Sequence, residues 1–259
     1  MKRMSLYALP FFVGLFYLFL YLPLLILIIF SFNDNAFTYT WNGFTFRWYT
    51  DLFSSTEVWD ALKNSLIVAC SSVILSILLG STLIFFGSRK VMNQLLILFY
   101  GSLAMPEIVL AVGLLSLFSF FVVSLGATTL IIGHTLLGLG YVIPILYSRF
   151  IELDASLIEA SYDLGATKHQ TFFYVVMPLL APALIAAGLL VFIISLDDFI
   201  ISFFCAGASV QTLPLYIFTV IRTGASPMIN ALSTLMLMVS SLFVLLFSFV
   251  RVAKMRGHQ

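Results

Sequence analysis

Six apolar stretches, at about 9–32, 63–86, 95–122, 127–148, 179–204 and 229–250, dominate the 259-residue chain. Each is long enough to cross a hydrocarbon core, which takes about 20 helical residues. Lipid offers no partner to an open backbone N–H or C=O, so the expected spanning element is the helix, and no stretch alternates in the manner of a barrel strand. The expectation is an all-α, polytopic membrane protein with six transmembrane helices. Composition agrees, because 62% of residues are hydrophobic and 9% charged, too few polar side chains to cover a soluble surface. Met1 to Arg3 precede the first stretch, but Leu9 to Phe32 is longer than a secretory h-region and lacks a small-residue cleavage site, so it is expected to remain as a span. Pro106 interrupts the overlong third stretch, which implies a tilted or broken helix. Cys70 and Cys205 both fall in apolar runs and read as small packing residues.

The basic residues set the orientation. With both termini inside, nine (Lys2, Arg3, Arg89, Lys90, Arg149, Lys168, Arg251, Lys254 and Arg256) lie on the cytoplasmic side, against three outside (Arg47, Lys63 and Arg222). That bias places both termini in the cytoplasm. The outer side then receives 33–62, a short turn near Ser124 to Gly126, and about 206–228. Trp41, Trp48 and Trp59 all lie in the first outer segment, where they read as interfacial anchors, with contact to an external partner as the alternative. Residues 1–259 are expected to form a single transmembrane domain with no ATPase or enzyme domain of its own, and a nucleic-acid partner is not expected.

The cytoplasmic segment between the fourth and fifth spans, at about 152–178, reads "DASLIEASYDLGATKHQTFFYVVMPLLAPAL" from Asp154 onward. Ser156 and Glu159 have the spacing of a capping box, in which each side chain satisfies an orphan N–H at a helix start. Thr167 and Gln170 repeat that spacing, and Gly165 between them suits the left-handed residue that ends a helix. The expected loop is helix, glycine turn, helix. Its apolar face could serve a partner, lipid or the chain's own bundle.

Three acids lie deep in the spans: Glu107, Asp197 and Asp198. Such a group costs about 2.5–3.5 kcal/mol at a helix centre on insertion scales, and it usually faces the bundle interior or a wet path. No basic residue lies deep in any span, so ion pairing within the chain is not an obvious explanation. Adjacent helical residues point about 100° apart, so Asp197 and Asp198 cannot share one narrow path unless the helix unwinds there. Asp198 is favoured as the path-facing member. Tyr141, Phe199, Phe203 and Phe204 could add cation–π attraction or simply pack. His134, Ser195, Asn64 and Thr135 read as ordinary hydrogen-bonding residues between helices. An intramembrane enzyme is disfavoured, because no metal-ligand or catalytic spacing accompanies these groups.

The run "EASYDLGATKHQTFFYVVMPLLAP" resembles the EAA loop of the permease subunits of binding-protein-dependent ABC importers, with Glu159, Ala160, Gly165, Ala166, Phe172 and Pro178 on the pattern. Ser161 stands where Ala is usual, and Met177 where Leu is common. The likeness extends over about residues 60–250, through "ALKNSLIVACSSVILSILLGSTLIFF", "MPEIVLAVGLLSLF" and "IGHTLLGLGYVIPILYSRF". It implies the type I importer permease fold in a bacterial inner membrane. It also implies a coupling helix in which Glu159, Ala160, Gly165 and Ala166 meet a cytoplasmic ATP-binding subunit dimer. ATP and Mg would be used by that partner, with no cofactor bound by this chain. Further partners implied are a second, homologous permease subunit and a periplasmic binding protein. "SLDDFIISFFCAGASVQTLPLYIFT" looks like the spermidine/putrescine permeases of this superfamily, which implies a small cationic substrate and a path involving Glu107, Asp197, Asp198, Tyr141 and Phe199. Many relatives with other cargoes also carry an acid at the position of Asp198, so Glu107 and Asp197 are the more discriminating acids. The alternative keeps the machine and changes the cargo to another small solute, such as ferric iron or an oxyanion; an oxyanion would want basic or helix-N-terminal groups that the spans do not supply.

Overall fold

The computed structural model describes residues 2–35, 40–224 and 227–256. The described residues are helical, with one isolated β-bridge between Asn33 and Phe44. In chain order the helices are α1 (Lys2–Phe30), α2 (Arg47–Ser54), α3 (Thr56–Phe86), α4 (Arg89–Ala104), α5 (Glu107–Phe120), α6 (Ala127–Ile151), α7 (Ala155–Asp163), α8 (Lys168–Thr171), α9 (Met177–Asp197), α10 (Ile200–Cys205), α11 (Leu213–Thr223) and α12 (Pro227–Arg256). A π-helical turn over Phe172–Val176 joins α8 to α9. Four helical stretches of the described residues are long and apolar enough to cross a membrane: Pro10–Phe30, Thr56–Phe86, Ala127–Ile151 and Lys168–Asp197.

Two of the expected spans are broken, each for a local reason. Pro106 has no N–H to donate, and it disfavours helical geometry at Met105, so α4 ends at Ala104 and α5 restarts at Glu107. Asp198 adopts an extended ψ of 117°, which ends α9 and lets α10 begin two residues later. Two short helices fall in segments that the apolar pattern leaves as outer loops, α2 and α11. Their signal is amphipathic and only eight and eleven residues long, too short for a span search to find.

The chain divides into two compact units, residues 1–56 with 217–259, and residues 57–216. In the first, the turn after α1 closes on Asn33, which is fully buried. The Asn33 side-chain amide donates to the Thr40 carbonyl at 2.7 Å, and the Asn33 carbonyl accepts the Trp48 indole N–H at 2.7 Å. Trp48, expected as an interfacial anchor, thus fastens its own loop. Phe32 stacks on Phe44 at 5.2 Å beside the same turn.

In the second unit α6 packs against α9 along small residues. A Cβ on Gly138 would strike Ser76 Oγ and come within 2.9 Å of Val191, and one on Gly133 would lie 2.7 Å from Ile201. In lipid the apolar surface of a helix gains little by leaving one apolar medium for another, so close contact and interhelical hydrogen bonds select the arrangement. Ser76 Oγ donates to the Thr135 carbonyl at 3.1 Å, and Thr129 Oγ1 to the Cys205 carbonyl at 2.8 Å. Val142, Ile143, Leu146, Val176 and Leu180 form one buried cluster of this unit, and Val68, Ala111, Leu130, Ile201 and Cys205 another.

Candidate functional site

The loop between α6 and α9 is built by its caps. Thr167 and Gln170 form the expected capping box: the Thr167 N–H donates to Gln170 Oε1 at 2.8 Å, and the Gln170 N–H to Thr167 Oγ1 at 3.3 Å. The box expected at Ser156 and Glu159 is replaced by a different cap. Asp154 Oδ1 accepts from the Ser156 N–H at 3.0 Å, so α7 starts at Ala155 and Ser156 becomes a capped position instead of the cap. A carboxylate accepts more strongly than a hydroxyl and favours the positive end of the helix dipole, which explains why Asp154 takes the role. The Ser156 backbone N–H holds the Asp154 carboxyl below its ordinary pKa of 3.8.

Gly165 has φ of +84°, the left-handed geometry expected of it. The Gly165 N–H donates to the Tyr162 carbonyl at 2.9 Å and the Ala166 N–H to the Ser161 carbonyl at 3.0 Å, the paired bonds of a Schellman stop. Ser161, the small-for-small departure in the EAA pattern, is buried and bonds Thr171 Oγ1 at 2.8 Å, joining α7 to α8. Glu159, Ala160 and Gly165 are exposed and Ala166 is half-buried. Leu164 at 90% and Tyr174 at 80% exposure stand beside them.

The acids of the spans separate into distinct settings. Glu107 occupies the first turn of α5 and lines a cavity of about 390 Å³ formed with α4, α6 and α9. Tyr141 lines the same cavity, together with Phe99, Met105, Leu136 and Ile194, and among the described residues no basic side chain lines it. Asp198 does not open onto this space. Its side chain is 1% exposed, its Oδ1 accepts from the Ile201 N–H at 3.3 Å, and its Oδ2 from the Ser202 N–H at 3.0 Å. His134 Nε2 lies 3.3 Å from the same Oδ2, and His134 Nδ1 lies 2.7 Å from Ser195 Oγ.

The arrangement therefore differs from the sequence-based preference for Asp198 as the path-facing acid. Asp198 turns inward as the cap of α10, while its neighbour Asp197 is exposed, one turn beyond the cavity residue Ile194 on α9. Phe199 does not line the cavity; its ring lies 5.5 Å from that of Phe203. Glu107 and Tyr141 are thus brought together in the cavity lining, whereas Asp197, Asp198 and Phe199 lie outside it. His134 is the hydrogen-bonded structural residue its setting suggested. The role of Ser202 escaped sequence reasoning, yet an Asp just ahead of a new apolar run is itself a helix-start signal. Among the described residues no cluster of three His, Cys, Asp or Glu side chains could hold a metal ion.

Residues 72–254 match the family described as "Binding-protein-dependent transport system inner membrane component". The spermidine/putrescine transport system permease protein PotC of Haemophilus influenzae is 36% identical over 237 residues, covering 89% of this chain and 91% of that one. The protein of the same name from Escherichia coli K12 is 34% identical over 249 residues, 93% of each. The putrescine transport system permease protein PotI of Escherichia coli K12 is 35% identical over 229 residues, 85% of this chain and 82% of that one. In fold, the chain is similar to a bacterial ABC transporter involved in the import of the acidic polysaccharide alginate, with a TM-score of 0.71 at 16% identity and 96% of each chain covered.

Proposed function

The chain belongs to the binding-protein-dependent transport system inner membrane component family, and from that premise we propose that it is one of two permease subunits of an ATP-driven polyamine importer. It moves spermidine or putrescine from the periplasm to the cytoplasm by alternating access. Relatives named for spermidine and putrescine transport support the cargo class. The observation that carries it is the cavity in which Glu107 and Tyr141 meet with no basic side chain among the described lining residues. A polyamine entering it exchanges water around an ammonium for a carboxylate and an aromatic face, which offsets part of the several kcal/mol that burying an ion costs. Asp197, exposed one turn beyond the cavity residue Ile194 on α9, adds a second acid outside the lining itself. An oxyanion would be repelled by the same groups.

Six spans with both termini in the cytoplasm fit this role, the broken α4–α5 and α9–α10 stretches each serving as one crossing; the nine-to-three distribution of basic residues supports the orientation. The exposed face around Glu159, Ala160, Gly165 and Ala166 then seats on a cytoplasmic ATP-binding subunit dimer, which binds ATP and Mg, while this chain binds neither. A periplasmic binding protein delivers the cargo at the outer loops. The test is uptake of radiolabelled spermidine and putrescine by cells with and without this chain, alongside ferric iron and an oxyanion. The reading expects polyamine uptake to depend on the chain, and chain-dependent uptake of iron or the oxyanion instead would replace it.

A further inference from the structure

The rings just beyond the end of α1 form a fixed and open aromatic surface. Phe32 stacks on Phe44 at 5.2 Å, Phe44 meets Phe46 edge-on at 5.0 Å, and Phe44 and Phe46 are 63% and 60% exposed. Asn33, fully buried, pins the turn that carries them through Thr40, Asn42 and Trp48. At about 100° per residue, the residues of α2 fall into three sectors. Trp48 and Leu52 point inward, half-buried and buried. Phe53 joins Phe46, the residue just ahead of the helix, in an exposed apolar sector, and Arg47, Asp51 and Ser54 make an exposed polar one. A helix bathed in water or sunk in lipid needs one exposed character; two exposed sectors of opposite character beside a buried one fit the boundary of a membrane.

The depth of this surface is set by α1. Its apolar stretch Pro10–Phe30 has 21 residues, about 31 Å of helix against a hydrocarbon core of about 30 Å, so Phe30 ends at the edge of that core. The Trp41 ring lies 6.3 Å from the Phe30 ring, and Phe32, on which Phe44 stacks, follows Phe30 by two residues. Within the same unit α12 packs against both α1 and α2, so the aromatic surface continues an apolar one. We propose that Phe44, Phe46 and Phe53 are a lipid-docking face, which seats α2 along the headgroup–acyl boundary at the C-terminal end of α1. The occupant is phospholipid. A soluble partner that comes and goes would leave three large apolar rings in water between visits, whereas the leaflet covers them at all times and leaves Arg47, Asp51 and Ser54 wet. The proposal needs only that α1 spans the membrane, so a different cargo would leave it intact.

The test uses the full chain in opened native membranes, where both sides meet the reagent. Phe46→Cys, Phe53→Cys, Asp51→Cys and Ser54→Cys are each treated with a membrane-impermeant maleimide, and peptide mass spectrometry of this chain reads the site modified, which sets Cys70 and Cys205 apart. The thiols introduced by Phe46→Cys and Phe53→Cys react at least about tenfold more slowly than those introduced by Asp51→Cys and Ser54→Cys, because the reacting thiolate is disfavoured away from water. A smaller difference overturns the proposal. The covering molecule is then identified by photocrosslinking, with Phe46→benzoylphenylalanine, Phe53→benzoylphenylalanine and Ser54→benzoylphenylalanine and the same mass readout. Phospholipid adducts are expected from the first two and not from the third. An adduct with another polypeptide from either of the first two, or no lipid adduct from them, overturns the proposal by giving the face to a protein partner or to none.

Discussion

Glu107 sits where a helix N-terminus favours negative charge and where the preceding proline leaves the chain open, so its carboxyl can face a cavity at tolerable cost. Replacing it with Gln keeps the shape and removes the charge. A charge-assisted hydrogen bond is worth about 1.5–3 kcal/mol, so Glu107→Gln should raise the apparent KM for spermidine about tenfold or more, with the amount of complex in the membrane unchanged. An unaltered KM at equal expression would remove Glu107 from the path. Gly138 is constrained by space instead of charge. Its missing side chain lets α6 meet Ser76 and Val191, so Gly138→Val should cost about 1–3 kcal/mol through overpacking and deplete the complex from membranes, as quantitative blotting would show. The acids themselves were legible in the sequence as charges without bases. Which of Asp197 and Asp198 faces outward was not, because helical periodicity fixes only their relative angle, and the break at Asp198 resets even that.

At the scale of elements, the loop from α7 to α9 shows how local chemistry and a missed cap coexist. The Thr167–Gln170 box and the left-handed Gly165 could be read directly, since each depends on residues within one turn. Asp154 was overlooked because two cap-forming residues compete two positions apart, and geometry rather than residue type decides between them. Gly165→Val forces a β-branched residue to φ of +84°, at a cost of about 1–2 kcal/mol. If this loop transmits motion, ATP hydrolysis by the assembled importer should continue while spermidine moved per ATP falls severalfold; an unchanged ratio would make the turn passive. The Asp154 cap carries a pH signature. Its folded pKa lies below 3.8, so its contribution is fully present above that value and is lost as pH falls through the lower one. The Ser156 amide should therefore keep a constant protection factor in hydrogen exchange from about pH 7 to about pH 5, and a loss of protection in that window would contradict the assignment. Helices α2 and α11 were invisible to a reading built on span-length apolar runs, for they owe their place to one amphipathic face.

For the whole molecule, the apolar stretches and the EAA pattern carried the fold class and the family, because both are written in long runs or in closely spaced residues. The knot of His134, Ser195, Asp198 and Ser202 joins positions up to 68 apart, and no local pattern announces it. The proposed role is ATP-driven inward movement of a polycation, with the ATP held by a partner. It is tested most directly in proteoliposomes containing the complete importer and its binding protein, with ATP enclosed on the cytoplasmic side and radiolabelled spermidine outside. Spermidine should accumulate only when both ATP and this chain are present, with inhibition by excess unlabelled putrescine and none by excess oxyanion. Accumulation of the oxyanion with no spermidine movement would contradict it.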